Sequence, residues 1–181
     1  EGGVSPHGGV CRVRGGLHQI LEGCDCEPRV VPLGITYDDF SVGRARVFMS
    51  LGPGRREDPE RPRPDRAEDL VAAILSQTTL TLTQAGSAYL MAAARDGGAF
   101  YAGALEEHVA GEAEAYRRVG ARVDPVLLDP VHRPGRIKAF LRFAERRGLL
   151  ESGRGGALTV REHALGPPDP LPLAGRPGAA E

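Results

Sequence analysis

Apolar positions along the chain change period several times, and each change marks an expected element. Val13, Leu17, Ile20 and Leu21 recur at helical spacing with Arg12, Arg14, His18 and Gln19 between them, which predicts a short helix from about Gly16 to Glu22, ended near Gly23. Val30-Val31-Pro32-Leu33-Gly34-Ile35 is a continuous apolar run with β-branched members. Such a run suits a strand buried on both faces, with the Pro32 position unpaired or bulged. Arg44 to Leu51 alternates polar and apolar and predicts a half-buried strand. Helix, strand, loop and strand together predict an α/β layer.

Gly52 to Arg66 then holds four Pro, two Gly and nine charged residues, the composition of a solvated linker. Beyond it the period is helical. A helix is predicted over 65–95, started by Asp65 with Glu68 in capping-box spacing, with a weak point at Thr78 to Thr83 where it can break and restart. Gly86-Ser87-Ala88 permits close packing on it. A second helix is expected over about 100–119, its apolar face being Leu105, Val109, Ala113 and Tyr116, with Gly120 as the stop. Asp124 to Pro134 reads as a loop. Pro134 opens a helix over 135–147 with Ile137, Phe140, Leu141 and Ala144 inward. Gly148 to Glu151, a turn over 152–156 and a strand over 157–160 complete a winged-helix-like end. Gly166 to Glu181, with five Pro and three Gly, predicts a disordered tail.

Composition narrows the function classes. At 181 residues and 41% hydrophobic the chain can bury a core. Its 23 Lys and Arg against 24 Asp and Glu argue against a global electrostatic partner such as duplex nucleic acid, while leaving room for local basic patches. No run reaches the roughly 18–20 apolar residues that span a bilayer. Cys11, Cys24 and Cys26 lack the C-x-x-C spacing of a zinc half-site or redox pair and read as reduced cysteines of a cytoplasmic protein, although His7 and His18 stand near them. No metal and no cofactor is expected.

The candidate chemistry lies at the beginning. Glu1-Gly2-Gly3-Val4-Ser5, then Arg14-Gly15, then Val31-Pro32, then Arg44-Ala45-Arg46-Val47 running to Gly52-Pro53, follow one another in an order and spacing that resembles the glycerolipid acyltransferase family, which includes the 1-acyl-glycerol-3-phosphate acyltransferases. The family's third motif is Phe-Pro-Glu-Gly-Thr-Arg-Ser, so this chain opens inside it, with Gly3 for the Thr and Val4 for the Arg. The resemblance covers about the first 55 residues and implies the following. Glu1, Gly2 and Ser5 line the acyl-acceptor pocket, the Glu accepting from an acceptor hydroxyl. With Val4 in the place of the motif Arg, either Arg12 or Arg14, beside a Gly-rich turn whose free N–H groups favour anions, takes the phosphate, or the acceptor is not a simple phosphate monoester. The donor is acyl-CoA or acyl carrier protein, and the acceptor a lysophospholipid or glycerol phosphate at a membrane surface, which places the protein in the cytoplasm, peripherally at the membrane. The family's catalytic pair, His-x4-Asp upstream of the Glu-Gly motif, has no counterpart: none of His7, His18, His108, His132 and His163 is followed by Asp five residues on. The expected organisation is the end of an acyltransferase α/β domain (1–54), a linker (55–66), a mostly helical accessory region (67–165) and the tail (166–181), a fragment inactive alone.

Two further groupings invite chemistry. Asp38-Asp39 is expected to be a polar turn between strands rather than a metal or general-acid pair. Arg136, Lys138, Arg142, Arg146 and Arg147, with Arg154 in the following turn, are expected to form the basic exposed face of a packing module, nucleic acid not being expected as a partner. The alternative is a non-catalytic regulatory or interaction protein whose terminal module meets nucleic acid or a partner protein.

Overall fold

A computed structural model describes residues 19–20, 23, 28–38, 46–56 and 62–161. Two short antiparallel pairs come first: β1 (Arg29–Val30) pairs with β4 (Arg55–Arg56), and between them β2 (Leu33–Asp38) pairs with β3 (Arg46–Leu51). Helices α1 (Arg63–Leu75), α2 (Leu82–Arg95) and α3 (Ala102–Arg118) follow, with β5 (Thr79–Leu80) and β6 (Ala99–Phe100) in the breaks between them. Next come β7 (Arg122–Val123), the single turn α4 (Pro125–Leu128) and α5 (Arg133–Arg146), then β8 (Leu150–Ser152), a 3-10 turn (Arg154–Gly156) and β9 (Leu158–Val160). The fold therefore mixes helices with small sheets. The last sheet is antiparallel in the order β6-β9-β8, while β5 and β7 form a parallel pair.

The core belongs to α2, α3 and α5 and the last sheet. Leu82, Leu105, Val109, Ala113 and Leu127 are fully buried, and Ile137, Phe140, Leu141 and Ala144 supply the inward stripe of α5, as their spacing predicts. Gly86 is where α2 meets α5. A Cβ added there would lie 2.6 Å from the Phe140 ring, so the missing side chain sets the approach of the two helices. Of the other predicted inward positions, Tyr116 is exposed.

The helical stretch expected over 65–95 breaks and restarts at its expected weak point, giving two helices. The backbone turns at 76–78, extends through β5, and restarts at a capping box in which the Thr81 side chain meets the Gln84 backbone and the Gln84 side chain accepts from the Thr81 N–H at 3.0 Å. The run of Thr and polar residues expected to weaken the helix supplies this cap. Asp65 is not a cap. Helix α1 starts two residues earlier, Pro62 holds the cap position without a side-chain hydrogen bond, and Asp65 lies in the first turn, where a negative charge suits the helix dipole. The segment 124–134, expected to be a loop, contains α4, opened by the Asp124 carboxylate, which accepts from Val126 N at 3.1 Å.

The first strands depart from expectation in an instructive way. The run Val30 to Ile35 is not one strand buried on both faces. It divides at Val31 and Pro32, since Pro has no N–H for the ladder, and β2 then alternates exposed and buried. The buried side carries Gly34, Thr36 and Asp38, and the exposed side carries Leu33, Ile35 and Tyr37. Strand β3 matches it, with Val47, Met49 and Leu51 outward. The inversion follows from what β2 rests on, which is the polar backbone at the α1–α2 break rather than an apolar core. Thr79 N donates to Thr36 Oγ1 at 3.1 Å, and Thr83 donates to Asp38 Oδ1 from its N–H at 3.3 Å and its hydroxyl at 2.6 Å. The polar residues of β2 face inward because backbone donors at a helix break need acceptors.

Gly34 makes that approach possible. A Cβ there would sit 2.3 Å from the Gln77 carbonyl oxygen, a backbone atom that cannot swing aside. Gly34→Ala is therefore expected to lower unfolding stability by about 1–3 kcal/mol through overpacking, read from urea midpoints, with faster amide exchange in β2 and β3 than in α3. A midpoint equal to that of the parent chain would show that β2 does not rest on Gln77.

Candidate functional site

The residues to which the family resemblance assigns substrate contacts, Glu1, Gly2, Ser5, Arg12 and Arg14, lie outside the described residues. What is described begins just after them. Gln19 and Ile20 are helical, and Gly23 N donates to Gln19 O at 2.9 Å, closing a helical turn where the predicted helix ends. The later segments of the resemblance are adjacent in space. Gly52 N donates to Pro32 O at 2.8 Å, and a Cβ on Gly52 would lie 2.6 Å from the Pro32 ring. Val31-Pro32 and Gly52-Pro53 thus form one end of the β2–β3 hairpin, because β2 and β3 pair in register from Leu33↔Leu51 to Asp38↔Arg46.

At the other end, two fully buried carboxylates exchange arginines between the hairpin and the helices. Asp38 Oδ2 accepts from Arg136 of α5 at 2.6 Å, while Arg46, opposite Asp38 in the register, donates to both oxygens of Asp124 at 2.6 and 3.0 Å. Each hairpin charge finds its partner in the helical body and each helical charge in the hairpin. Such pairs fix position more than they add stability. Asp38 is therefore not in a polar turn. It is the last residue of β2, and every group that meets its carboxylate is a donor. Asp39 lies outside the described residues, and among those described no group of three His, Cys, Asp or Glu side chains could hold a metal ion. Nothing in the sequence periodicity signals the exchange: Asp38, Arg46, Asp124 and Arg136 are separated by up to 98 positions, and only the placement of Asp38 and Arg46 at the two inner ends of the hairpin strands hints that they face each other.

The outward face of the hairpin is apolar. Leu33 faces Leu51, Ile35 faces Met49 and Tyr37 faces Val47 across the strands, and Met49 and Leu51 are about two-thirds exposed. A contiguous apolar sheet face is the kind of surface that a further layer covers.

Of the histidines, two are described. His108 lies half-buried on α3 against the Tyr89 ring, with centroids 5.1 Å apart. His132 is exposed and its Nδ1 lies 2.6 Å from Asp129 Oδ2. That contact, and the Val131 N–H donating to Oδ1 at 2.8 Å, hold the Asp129 carboxyl below its ordinary value and fix the turn into α5. Neither histidine is placed as a catalytic base.

The surface of α5 is basic. Lys138, Arg142 and Arg146 follow one another at four-residue intervals on its exposed side, and Arg154 is exposed in the turn between β8 and β9. Between α5 and the start of α3 runs a groove of about 450 Å³ floored by Ile137, Leu141 and Leu158, with Lys138, Arg142, Glu106 and Glu145 on its rim. No described helix is long and apolar enough to cross a membrane. The chain matches no protein-family model, no curated protein and no solved structure.

Proposed function

We propose that the chain is the C-terminal part of a glycerolipid acyltransferase, working at a membrane surface, whose α/β domain ends near residue 54 and is followed by a helical accessory region with a winged-helix-like end. The carrying observation is the ordered series Glu1-Gly2, Ser5, Arg14-Gly15, Val31-Pro32 and Arg46-Val47 to Gly52-Pro53. Two features of the fold support it. The segments that resemble strand motifs pair as β2 and β3, with Pro32 hydrogen-bonded to Gly52. The apolar outer face of that hairpin suits strands that continue into a larger, covered α/β sheet.

In this reading a base removes the proton from an acceptor hydroxyl, the oxygen attacks the thioester carbonyl, and the tetrahedral intermediate expels the carrier thiolate, which takes up the proton. Glu1 orients the hydroxyl, with Gly2 and Ser5 lining the pocket and Arg12 and Arg14 holding the acceptor phosphate in place of the arginine that Val4 replaces. The base in this reading is the histidine of the family's His-x4-Asp pair, a spacing that none of the five histidines of these 181 residues has. The test is a reading frame extended upstream, assayed with lysophosphatidic acid and acyl-CoA. It should contain Phe-Pro before Glu1 and a His-x4-Asp farther back, and Glu1→Ala should lower kcat/KM about tenfold or more, the size of one lost buried hydrogen bond to substrate. An extension without that pair, or a fully active Glu1→Ala enzyme, would overturn the proposal.

A further inference from the structure

The near-zero net charge conceals a strong separation. Residues 133–161 contain eight Arg or Lys and two Glu, a net +6, so with a total of −1 the rest of the chain carries −7. The positive part is one structural unit, α5 followed by the β8–β9 hairpin and the turn between them.

The way α5 is packed decides where those charges point. Ile137, Phe140, Leu141 and Ala144 are buried, and at about 100° per residue this puts Arg142 and Arg146 nearly opposite the core, with Lys138 beside them. Successive members of the stripe lie roughly 6 Å apart. Among the described residues, no acidic side chain pairs with Lys138, Arg142, Arg146 or Arg154. Glu145, the one carboxylate in α5, accepts from the Ser152 hydroxyl and ties the β8–β9 hairpin to the helix. Four cations thus stand on an exposed helix and on the turn of a hairpin bonded to it. The order β6-β9-β8 supports that hairpin from behind, β9 lying between its own partner and the strand that precedes α3.

We propose that this face binds duplex nucleic acid through its phosphates, with α5 along a groove and the Arg154 turn against the adjacent backbone. The exposed face of a 14-residue helix, about 21 Å long, suits a groove about 12 Å wide. The contacts proposed are to phosphates, which carry no sequence information, so a duplex of arbitrary sequence serves as the probe. An anionic membrane would be met differently. Membrane-surface helices set exposed Trp, Phe or Leu beside their cations, whereas the Arg154-Gly155-Gly156 turn carries no apolar side chain, and Ile137 and Leu141 beside Lys138 and Arg142 are buried at the floor of the groove. The proposal stands apart from acyl transfer and holds whether or not that reading survives.

The test uses the full 181-residue chain and a fluorescent duplex of arbitrary sequence, roughly two helical turns long. Binding should appear at about 50 mM salt and weaken with a slope of about −3 to −4 in log K against log salt, as for about four neutralised phosphates. R142A/R146A should make that slope shallower by about 2 and weaken binding at least about tenfold at low salt, with its circular dichroism unchanged. R95A, in the exposed last turn of α2, should bind as the parent does. Three outcomes would overturn the proposal: no duplex binding at the lowest salt, retention on phosphatidylglycerol vesicles without duplex binding, or duplex binding that R142A/R146A leaves unchanged.

Discussion

Asp38→Ala is expected to destabilise the protein by about 3 kcal/mol in urea unfolding, far more than an ordinary polar substitution near the surface. Breaking one partner of a buried ion pair generally costs about 3–5 kcal/mol. The lower end applies because the Arg136 side chain keeps 22% of its surface exposed and can recover some hydration, while Asp38 has none. Two other donations end with the carboxylate, from the Thr83 hydroxyl and the Thr83 N–H, and with them goes the attachment of β2 to the first turn of α2. Asp38→Asn, which retains the shape and one acceptor oxygen, should cost less than half as much. R136M alone should also destabilise, by leaving a buried carboxylate short of its cation, and D38A/R136M should recover at least half of the summed losses. A D38A loss within about 0.5 kcal/mol of the parent, the range of unremarkable surface changes, would show that the hairpin is not held through this carboxylate.

The same residues show what the chain discloses before it folds. The faces of α3 and α5 are legible because their apolar residues keep a 3.6-residue period and point at one core: Leu105, Val109 and Ala113 on one helix, Ile137, Phe140, Leu141 and Ala144 on the other. The existence of β2 and β3 is legible too, near the expected positions. Their orientation is not. Alternation locates two faces of a strand but does not say which is inward. The usual rule of apolar inside fails at β2 because its neighbour is the backbone at the α1–α2 break, whose N–H groups call for Thr36 and Asp38 rather than Ile35 and Tyr37. Short strands such as β5 and β7, two residues each, leave no periodic trace at all. The expected basic face of α5 was readable as composition, but its meaning depends on the rotation of the helix, which the buried stripe sets. The acceptor-site residues Glu1, Gly2, Ser5, Arg12 and Arg14 rest on motif order alone, since they fall outside the described residues.

The other large effect concerns the contact on which the helical body is assembled. Phe140, 4% exposed, lies with its ring against Gly86, and the ring edge occupies the space a Cβ at position 86 would take. Phe140→Ala should destabilise by about 3–5 kcal/mol, because the neighbouring helix offers no side chain at the point of contact to collapse into the void. Gly86→Ala should destabilise as well, by about 1–3 kcal/mol, since the new methyl group meets a ring in a packed interior. The two changes are opposite errors in one volume, so they should not add. In the Phe140→Ala background the methyl group at 86 enters the cavity, and Gly86→Ala should become neutral or stabilising, helped by the better helix propensity of Ala over Gly. A double-mutant cycle from urea unfolding measures this directly. A coupling of at least about 1 kcal/mol, with the sign of Gly86→Ala reversed, is expected. Strict additivity would mean that α2 and α5 do not meet through this ring, and the placement of the α5 face that turns Arg142 and Arg146 outward would lose its support.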